Sequence, residues 1–108
     1  MAVDESFLNY VKDQLSEIGE FQAKKMFGGV GFFKEGIMFG MLGGAVFRLR
    51  VDDTNKPDFE AKGMKPYSSK TKKKGMPYYE VPVEVLEDKD ILKTWALKAF
   101  EVAKKHKK

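Results

Sequence analysis

The sequence predicts an α+β fold in which an antiparallel or mixed sheet is flanked by an N-terminal and a C-terminal helix. Three observations lead to this prediction. Apolar residues recur at helical spacing near both ends of the chain, the middle consists of short apolar runs separated by glycine, and these runs follow one another directly. Strands in direct succession favour an antiparallel sheet, because a doubly wound sheet would alternate strands with helices.

Amphipathic helices are predicted over residues 4–18 and 90–105. In the first helix, Asp4 can cap the free backbone N–H groups, and Gly19 can end the helix in a left-handed conformation. Its apolar face consists of Phe7, Leu8, Val11, Leu15 and Ile18. The apolar stripe of the second helix consists of Ile91, Leu92, Trp95, Ala99, Val102 and Ala103. Both stripes are expected to pack on the sheet.

Residues 23–51 are expected to form an antiparallel meander of three or four strands with one buried face. A turn is predicted at 34–36. Gly43 and Gly44 are predicted to form a two-residue hairpin, because both tolerate the positive φ of a type I′ turn. The run at 45–51 alternates apolar and cationic side chains, in the order Phe47, Arg48, Leu49, Arg50 and Val51. Its apolar residues should therefore face the core and its arginines the other side.

The second half of the chain adds a short helix at 57–62, a loop or frayed hairpin at 64–77 and another strand at 78–83. Pro82 indicates an edge or the end of this strand, since proline has no N–H to donate to a sheet. No repeat or linker is visible, so residues 1–108 are expected to form a single domain.

The composition excludes most catalytic chemistry. The chain has no cysteine, and its one histidine is His106, which we interpret as a solvated residue of a lysine-rich tail. Asp52 and Asp53 are adjacent and would point in opposite directions along a strand, so capping of the next helix is favoured over metal chelation. We therefore expect no enzyme activity, no cofactor and no metal site.

The same composition predicts a cytoplasmic protein. A secreted domain of this size often needs disulfides, and the N-terminus lacks the cationic and apolar regions of a signal peptide. Every apolar run is far shorter than the ~20 residues that a membrane-spanning helix requires, so no membrane association is expected.

A glycine-rich stretch at 28–31 invites comparison with phosphate-binding loops. Such loops open a helix, whereas aromatic strand residues follow here. A bulge, a tight turn or a close approach of the backbone is therefore favoured for this stretch.

One predicted strand carries apolar side chains on both faces. Under strict alternation, one face holds Ile37, Phe39 and Met41. The other face then holds Met38, Gly40 and Leu42. Either helices cover both faces of the sheet, or one face meets another subunit. The candidate partner-binding residues, whose methionines would adapt to a partner, are Met38, Met41, Leu42 and Val46.

A lysine-rich segment at 62–74 offers a second kind of binding site. Its candidate nucleic-acid-binding residues are Lys65, Lys70, Lys72, Lys73, Lys74 and Tyr67. Basic groups interleaved with aromatic rings could follow a phosphate backbone and stack on bases. Acidic residues lie close by, however, and no known nucleic-acid-binding motif is present. A solvated surface that protects an edge strand therefore remains open as well.

Several segments are recognisable as a set spread over about residues 5–104. They are KMFGGVG at 25–31, GIMFG at 36–40, RLRVDD at 48–53, NKPDFEAKG at 55–63, YYEVP at 78–82 and WA at 95–96. In this order they resemble the N-terminal domain of the TfoX/Sxy competence-regulator family. The resemblance implies a fold like that of secretion chaperones, a link to the regulation of DNA-uptake competence, and no catalytic residues.

The leading interpretation is a non-enzymatic regulatory or protein-interaction module that acts in the regulation of transcription or DNA uptake, with a protein partner or as a homodimer. The alternative is a weak nucleic-acid-binding protein without sequence specificity, which would use the lysine-rich loop at 62–74.

Overall fold

The chain folds as an antiparallel sheet of six strands with its helices packed on one face, in a computed structural model that describes residues 4–26, 28–64, 66, 67 and 76–106. The strands are β1 (Gln22–Met26), β2 (Gly29–Lys34), β3 (Ile37–Gly43), β4 (Val46–Arg50), β5 (Pro66–Tyr67) and β6 (Met76–Glu80). Their order in the sheet is β1-β2-β3-β4-β6-β5, and every neighbouring pair is antiparallel. The predicted α+β fold is confirmed.

The helices are α1 (Glu5–Gln14), α2 (Lys56–Glu60), α3 (Val83–Leu86) and α4 (Lys89–Lys105). α1 begins after Asp4, whose carboxylate accepts a hydrogen bond from the Phe7 N–H at 3.0 Å, as predicted. α1 is shorter than expected, because the chain continues as one 3₁₀ turn, Ser16–Ile18. α4 begins after Asp88, whose carboxylate accepts hydrogen bonds from two N–H groups of the first turn. Both long helices therefore start at an aspartate cap.

The turns of the meander depend on residues that tolerate positive φ. Between β2 and β3, Glu35 and Gly36 have φ of 54° and 78°, the signs that a type I′ turn requires. Between β3 and β4, the predicted hairpin is wrong by one residue: Gly43 belongs to the ladder, and the loop residues are Gly44 and Ala45. Gly44 has a φ of 57° and Ala45 does not have a positive φ, which is the pattern of a type II′ turn.

The last strand ends earlier than predicted. β6 stops at Glu80, and Val83 lies in α3 with 66% of its surface exposed, rather than on the buried side of a strand. Pro82 is the physical reason, because it has no N–H for the ladder and its φ of −58° suits the residue before a helix. Before β6, the described part of 64–77 forms a hairpin, since β5 pairs with β6.

A β-bulge in β3 changes which of its residues share a face. The register between β2 and β3 shifts so that Phe39 is an extra residue on β3. The strict alternation predicted for this strand therefore fails at Phe39. Phe39 and Leu42 both face the helices and are fully buried, whereas Met38 and Met41 face the other way.

One hydrophobic core lies between the sheet and the helices, and all four helices contribute to it. The sheet contributes Val30, Phe32, Phe39, Leu42, Phe47, Leu49 and Tyr79. Phe32 and Phe47 meet edge to face with ring centroids 5.1 Å apart. In α4 the predicted stripe needs correction, because Ile91 is 43% exposed whereas Ala96 and Phe100 are buried. Each described helix thus contributes buried apolar side chains to this core.

Candidate functional site

The outer face of the sheet is the face that points away from the helices. Strand alternation and the bulge in β3 bring five apolar side chains to it: Met26, Phe33, Met38, Met41 and Val46. Each of them is half-buried, whereas most apolar core-face residues of β2, β3 and β4 are buried. Among the described residues no helix lies over the outer face, since all four helices pack into the core on the opposite side. The part of this face formed by β1 to β4 is therefore both apolar and accessible, whereas Tyr78 on β6 is buried.

The centre of the outer face is built around Gly31. A Cβ atom at this position would lie 2.6 Å from Sδ of Met26, 2.9 Å from Cε1 of Phe33 and 3.4 Å from Sδ of Met38. These three side chains converge over the bare backbone of β2 and form one patch, the Met–Phe cluster (Met26, Phe33 and Met38). Of the three alternatives predicted for 28–31, a close approach of the backbone is found at Gly29, where a Cβ atom would lie 2.6 Å from the carbonyl oxygen of Leu42.

Cations flank the apolar centre on both sides. A row of residues in register crosses five strands, in the order Lys24, Gly31, Met41, Arg48 and Glu80. Lys24 lies on the edge strand β1, with its Nζ 5.4 Å from the ring centroid of Phe33. On the far side, the guanidinium carbon of Arg50 lies 5.8 Å from the ring centroid of Tyr78. Cation–π contacts thus keep charge next to the apolar surface at both borders.

The four predicted partner-binding residues lie on two different faces of the sheet. Met38, Met41 and Val46 lie half-buried on the outer face. Leu42 has no exposed surface and belongs to the core, so its inclusion is wrong. The extra residue Phe39 is the physical reason, because it puts Met38 and Leu42 on opposite faces. Partner binding by the other three residues stays a prediction.

Sequence reasoning missed three residues of this face: Lys24, Met26 and Phe33. A signal was present, since Lys24 and Met26 are two positions apart and must share a face of their strand. Gly31 and Phe33 are likewise two positions apart on the neighbouring strand. The pairing of these two strands, which the sequence did not fix in register, is what brings the four residues together.

The Met–Phe cluster lies within a stretch of sequence that matches a protein-family model, and this stretch includes both sheet and helix residues. A family model described as TfoX N-terminal domain matches residues 13–103, from within α1 to near the end of α4. The chain belongs to the TfoX N-terminal domain family. No curated protein shows a significant match to the chain. The matched range includes every residue of the outer face named above, so the candidate site lies within the TfoX N-terminal domain itself.

The lysine-rich loop of this TfoX N-terminal domain falls mostly outside the described residues, which do not include Lys65, Lys70, Lys72, Lys73 and Lys74. The backbone of Tyr67 pairs with Met76 in the hairpin of β5 and β6. Lys62, at the start of the loop, has its Nζ 3.4 Å from a carboxylate oxygen of Glu84. Nucleic-acid binding by this loop stays a prediction.

Asp52 joins the sheet to the C-terminal end of α4. Its carboxylate is 15% exposed and lies 2.9 Å from both Nζ of Lys105 and Nε2 of His106. It also accepts a hydrogen bond from the Thr54 N–H at 2.8 Å, within the turn before α2. The prediction that Asp52 caps α2 is therefore wrong, since the residue before α2 is Asn55. The interpretation of His106 as a solvated tail residue is likewise wrong, because its half-exposed ring contacts Asp52.

The carboxyl group of Asp52 is held in its charged form. Burial by itself raises its pKa, but the hydrogen bonds from Thr54, Lys105 and His106 outweigh burial and hold the pKa of Asp52 well below its ordinary range. Asp52 therefore contacts Lys105 and His106 at the end of α4 as a charged carboxylate rather than as a neutral carboxylic acid.

A cleft of about 630 Å³ opens beside the β2–β3 turn and adjoins the outer face at Phe33 of the Met–Phe cluster. Its lining residues are Glu20, Phe21, Gln22, Phe33, Lys34, Glu35 and Gly36. No group of three acidic, histidine or cysteine side chains that could hold a metal ion occurs in the part of this TfoX N-terminal domain that the structure describes. In the same part, no helix has both the length and the apolar character to cross a bilayer.

Proposed function

We propose that this TfoX N-terminal domain is a non-enzymatic protein-interaction module that binds a protein partner on its outer face. The observation that carries the proposal is the Met–Phe cluster, in which three half-buried apolar side chains converge over Gly31 on a sheet face without a described helix. Apolar side chains gathered into one accessible patch are typical of interaction sites, whereas singly scattered ones are ordinary surface. Two of the three are methionines, whose flexible thioether chains adapt to the shape of a partner.

A regulatory role follows from this mode of action. A domain that binds a protein without transforming it changes what the partner does by holding it, blocking it or bringing it to a third molecule. We propose the regulation of transcription or DNA uptake as the setting, and the cytoplasm as the compartment, on the strength of membership in the TfoX N-terminal domain family.

The proposal is tested by crosslinking the full chain in its native host and recovering what is attached. Wild type is compared with Met38→Glu, which puts a carboxylate into the Met–Phe cluster. The matched control is Ile91→Glu, the same kind of change at a 43% exposed residue of α4, on the helix layer. Circular dichroism and thermal melting establish that all three proteins are folded.

Wild type and Ile91→Glu are expected to recover the same partner in comparable amounts, and Met38→Glu to recover about tenfold less or none. Sedimentation velocity shows whether that partner is a second copy of the chain. If all three proteins recover the same set, or none recovers a partner, the outer face is not a binding site and the proposal fails.

A further inference from the structure

We propose that the segment bound on the outer face is an amphipathic helix of the partner protein, whose apolar stripe is bordered by carboxylates on both sides. This inference rests on the proposed function and adds the chemistry of the partner.

The width of the apolar centre matches one helix. The Met–Phe cluster and Met41 lie on β1, β2 and β3, and the cations of the row in register lie on β1 and β4, at Lys24 and Arg48. Neighbouring strands are ~4.8 Å apart, so the backbone positions of these two cations are separated by about 14 Å. An α-helix with its side chains is ~10–12 Å across. A helix lying along β2 and β3 therefore fits between the two cations, with its flanking residues within reach of both.

The charges on this face favour an acidic partner. Lys24, Arg48 and Arg50 carry positive charge on the described part of the outer face, and Glu80 is the acidic side chain in register with Arg48. Lys24 borders the cluster on one side and the two arginines border it on the other. Carboxylates on both flanks of an apolar stripe would thus meet a cation on each side, and oppositely charged patches steer and align two proteins.

A second copy of this chain fits this face less well. In a symmetric dimer the same patch meets itself, so the cation-rich borders of the two copies would approach one another. Like charges brought together at an interface disfavour the complex. Self-association through the outer face would therefore lose the charge complementarity that an acidic helix gains.

Nucleic acid also fits this face less well. Binding to a phosphate backbone needs a series of cations along the path of the strand and aromatic platforms for the bases. Here the centre between Lys24 and Arg48 is occupied by methionine and glycine, and Phe33 is already covered by the Lys24 ammonium group. A helix with an apolar stripe and acidic borders would contact both the apolar centre and the flanking cations. A nucleic acid would contact the cations alone.

The test is a selection from a display library of 16-residue helical peptides. The library keeps a fixed leucine stripe, and the positions on each flank of the stripe are randomised among Glu, Lys, Gln and Ser. Baits are the full-length wild-type chain, Lys24→Glu, and Lys12→Glu as the matched control, since Lys12 is an exposed residue of α1 on the helix layer. Met38→Glu serves as the bait with a disrupted cluster.

On wild type and Lys12→Glu, Glu is expected to be enriched on both flanks. On Lys24→Glu, the preference on one flank alone should disappear or change to Lys. The selected acidic peptide should bind wild type about tenfold tighter in fluorescence anisotropy than the same peptide with Lys in place of Glu, and Met38→Glu should bind neither.

Enrichment of Lys or Gln on both flanks, equal affinity of the acidic and basic peptides, or no peptide enriched above the Met38→Glu background would each overturn the inference. Binding of a single-stranded oligonucleotide that competes with the selected peptide, or dimerisation lost in Met38→Glu, would overturn it as well. If the crosslinked partner from the host depends on Met38 but not on Lys24, only the acidic helix is wrong and the proposed function stands.

Discussion

The two faces of this sheet are made from the same strands and follow different rules. On the core face, aromatic and branched side chains such as Phe32, Phe39 and Leu49 are fully buried and pack against helices. On the described part of the outer face, methionines and Phe33 are half-buried and bordered by cations. Stiff side chains specify a unique core, whereas flexible ones leave a surface able to adapt to a partner. One face therefore stabilises the fold, and the other is the face on which we propose that a partner binds.

The largest difference is expected between truncations of the two faces. Phe39→Ala removes a fully buried ring and should lower the free energy of unfolding by about 3–5 kcal/mol. Met41→Ala, two positions away on the outer face, should cost roughly 1 kcal/mol, because its side chain is half-buried. Urea denaturation of both variants measures the two costs. Equal losses would mean that the outer face is as much a part of the core as the buried one.

Two glycines of β2 differ in what an added Cβ atom would contact. A Cβ at Gly29 would lie 2.6 Å from the backbone carbonyl oxygen of Leu42, which cannot move without shifting β3. Gly29→Ala should therefore cost about 1–3 kcal/mol in the free energy of unfolding. At Gly31 the nearest atom is Sδ of Met26, the end region of a flexible side chain.

Gly31→Ala should thus cost less stability than Gly29→Ala, yet it should weaken binding of the acidic peptide by spreading the Met–Phe cluster. Thermal melts and anisotropy titrations of both variants report the two effects separately. A Gly31→Ala protein that binds as tightly as wild type would show that the convergence of these side chains does not matter for recognition.

The stability that Asp52 contributes through Lys105 and His106 should depend on pH. Asp52→Asn removes the charge that accepts hydrogen bonds from Lys105 and His106, and should lower the free energy of unfolding at pH 7 by about 1–2 kcal/mol. The pKa of Asp52 is lowered in the folded protein, so its contribution is fully present above its ordinary pKa of about 4 and is lost as the pH falls below that value.

The difference in stability between wild type and Asp52→Asn should accordingly shrink on acidification below about pH 4. Chemical denaturation at a series of pH values measures it. A difference that stays constant over this range would mean that the carboxylate is not preferentially charged in the folded state.

The smallest effect on stability is expected for Lys105, the exposed ion-pair partner of Asp52. Lys105→Ala removes an ion pair whose lysine side chain is 55% exposed, and should cost at most about 1 kcal/mol, less at high salt. Lys93→Ala, at an exposed position of the same helix, is the control for helix propensity and net charge. Identical melting curves for the two variants at low salt would show that the ion pair between Lys105 and Asp52 does not stabilise the protein.

Local patterns in the sequence predicted most of the fold. Asp4 predicted the start of α1, Gly36 predicted the turn between β2 and β3, and Phe47 and Leu49 predicted the buried side of β4 by simple alternation. Each of these depends on a residue and its near neighbours along the chain, which is why the sequence alone was enough.

The errors have a different physical origin. The bulge at Phe39 arises from how β2 and β3 pair, and nothing within β3 itself shows that its alternation breaks there. The contact of His106 with Asp52 joins residues 54 positions apart, so no local pattern could reveal it. For the candidate site, Met38 and Met41 were found, whereas Leu42 was misplaced by the same bulge and Lys24, Met26 and Phe33 required the register of β1 on β2.

The sulfur atoms of the Met–Phe cluster have a chemical consequence of their own. Met26 and Met38 are half-buried methionines, whereas the sheet residues of the buried core are phenylalanine, leucine, valine and tyrosine. Oxidants convert methionine to its sulfoxide, which is polar and is reduced again by dedicated reductases. Oxidation of these two methionines would therefore make the face proposed to bind a partner more polar, and the reductases would restore it.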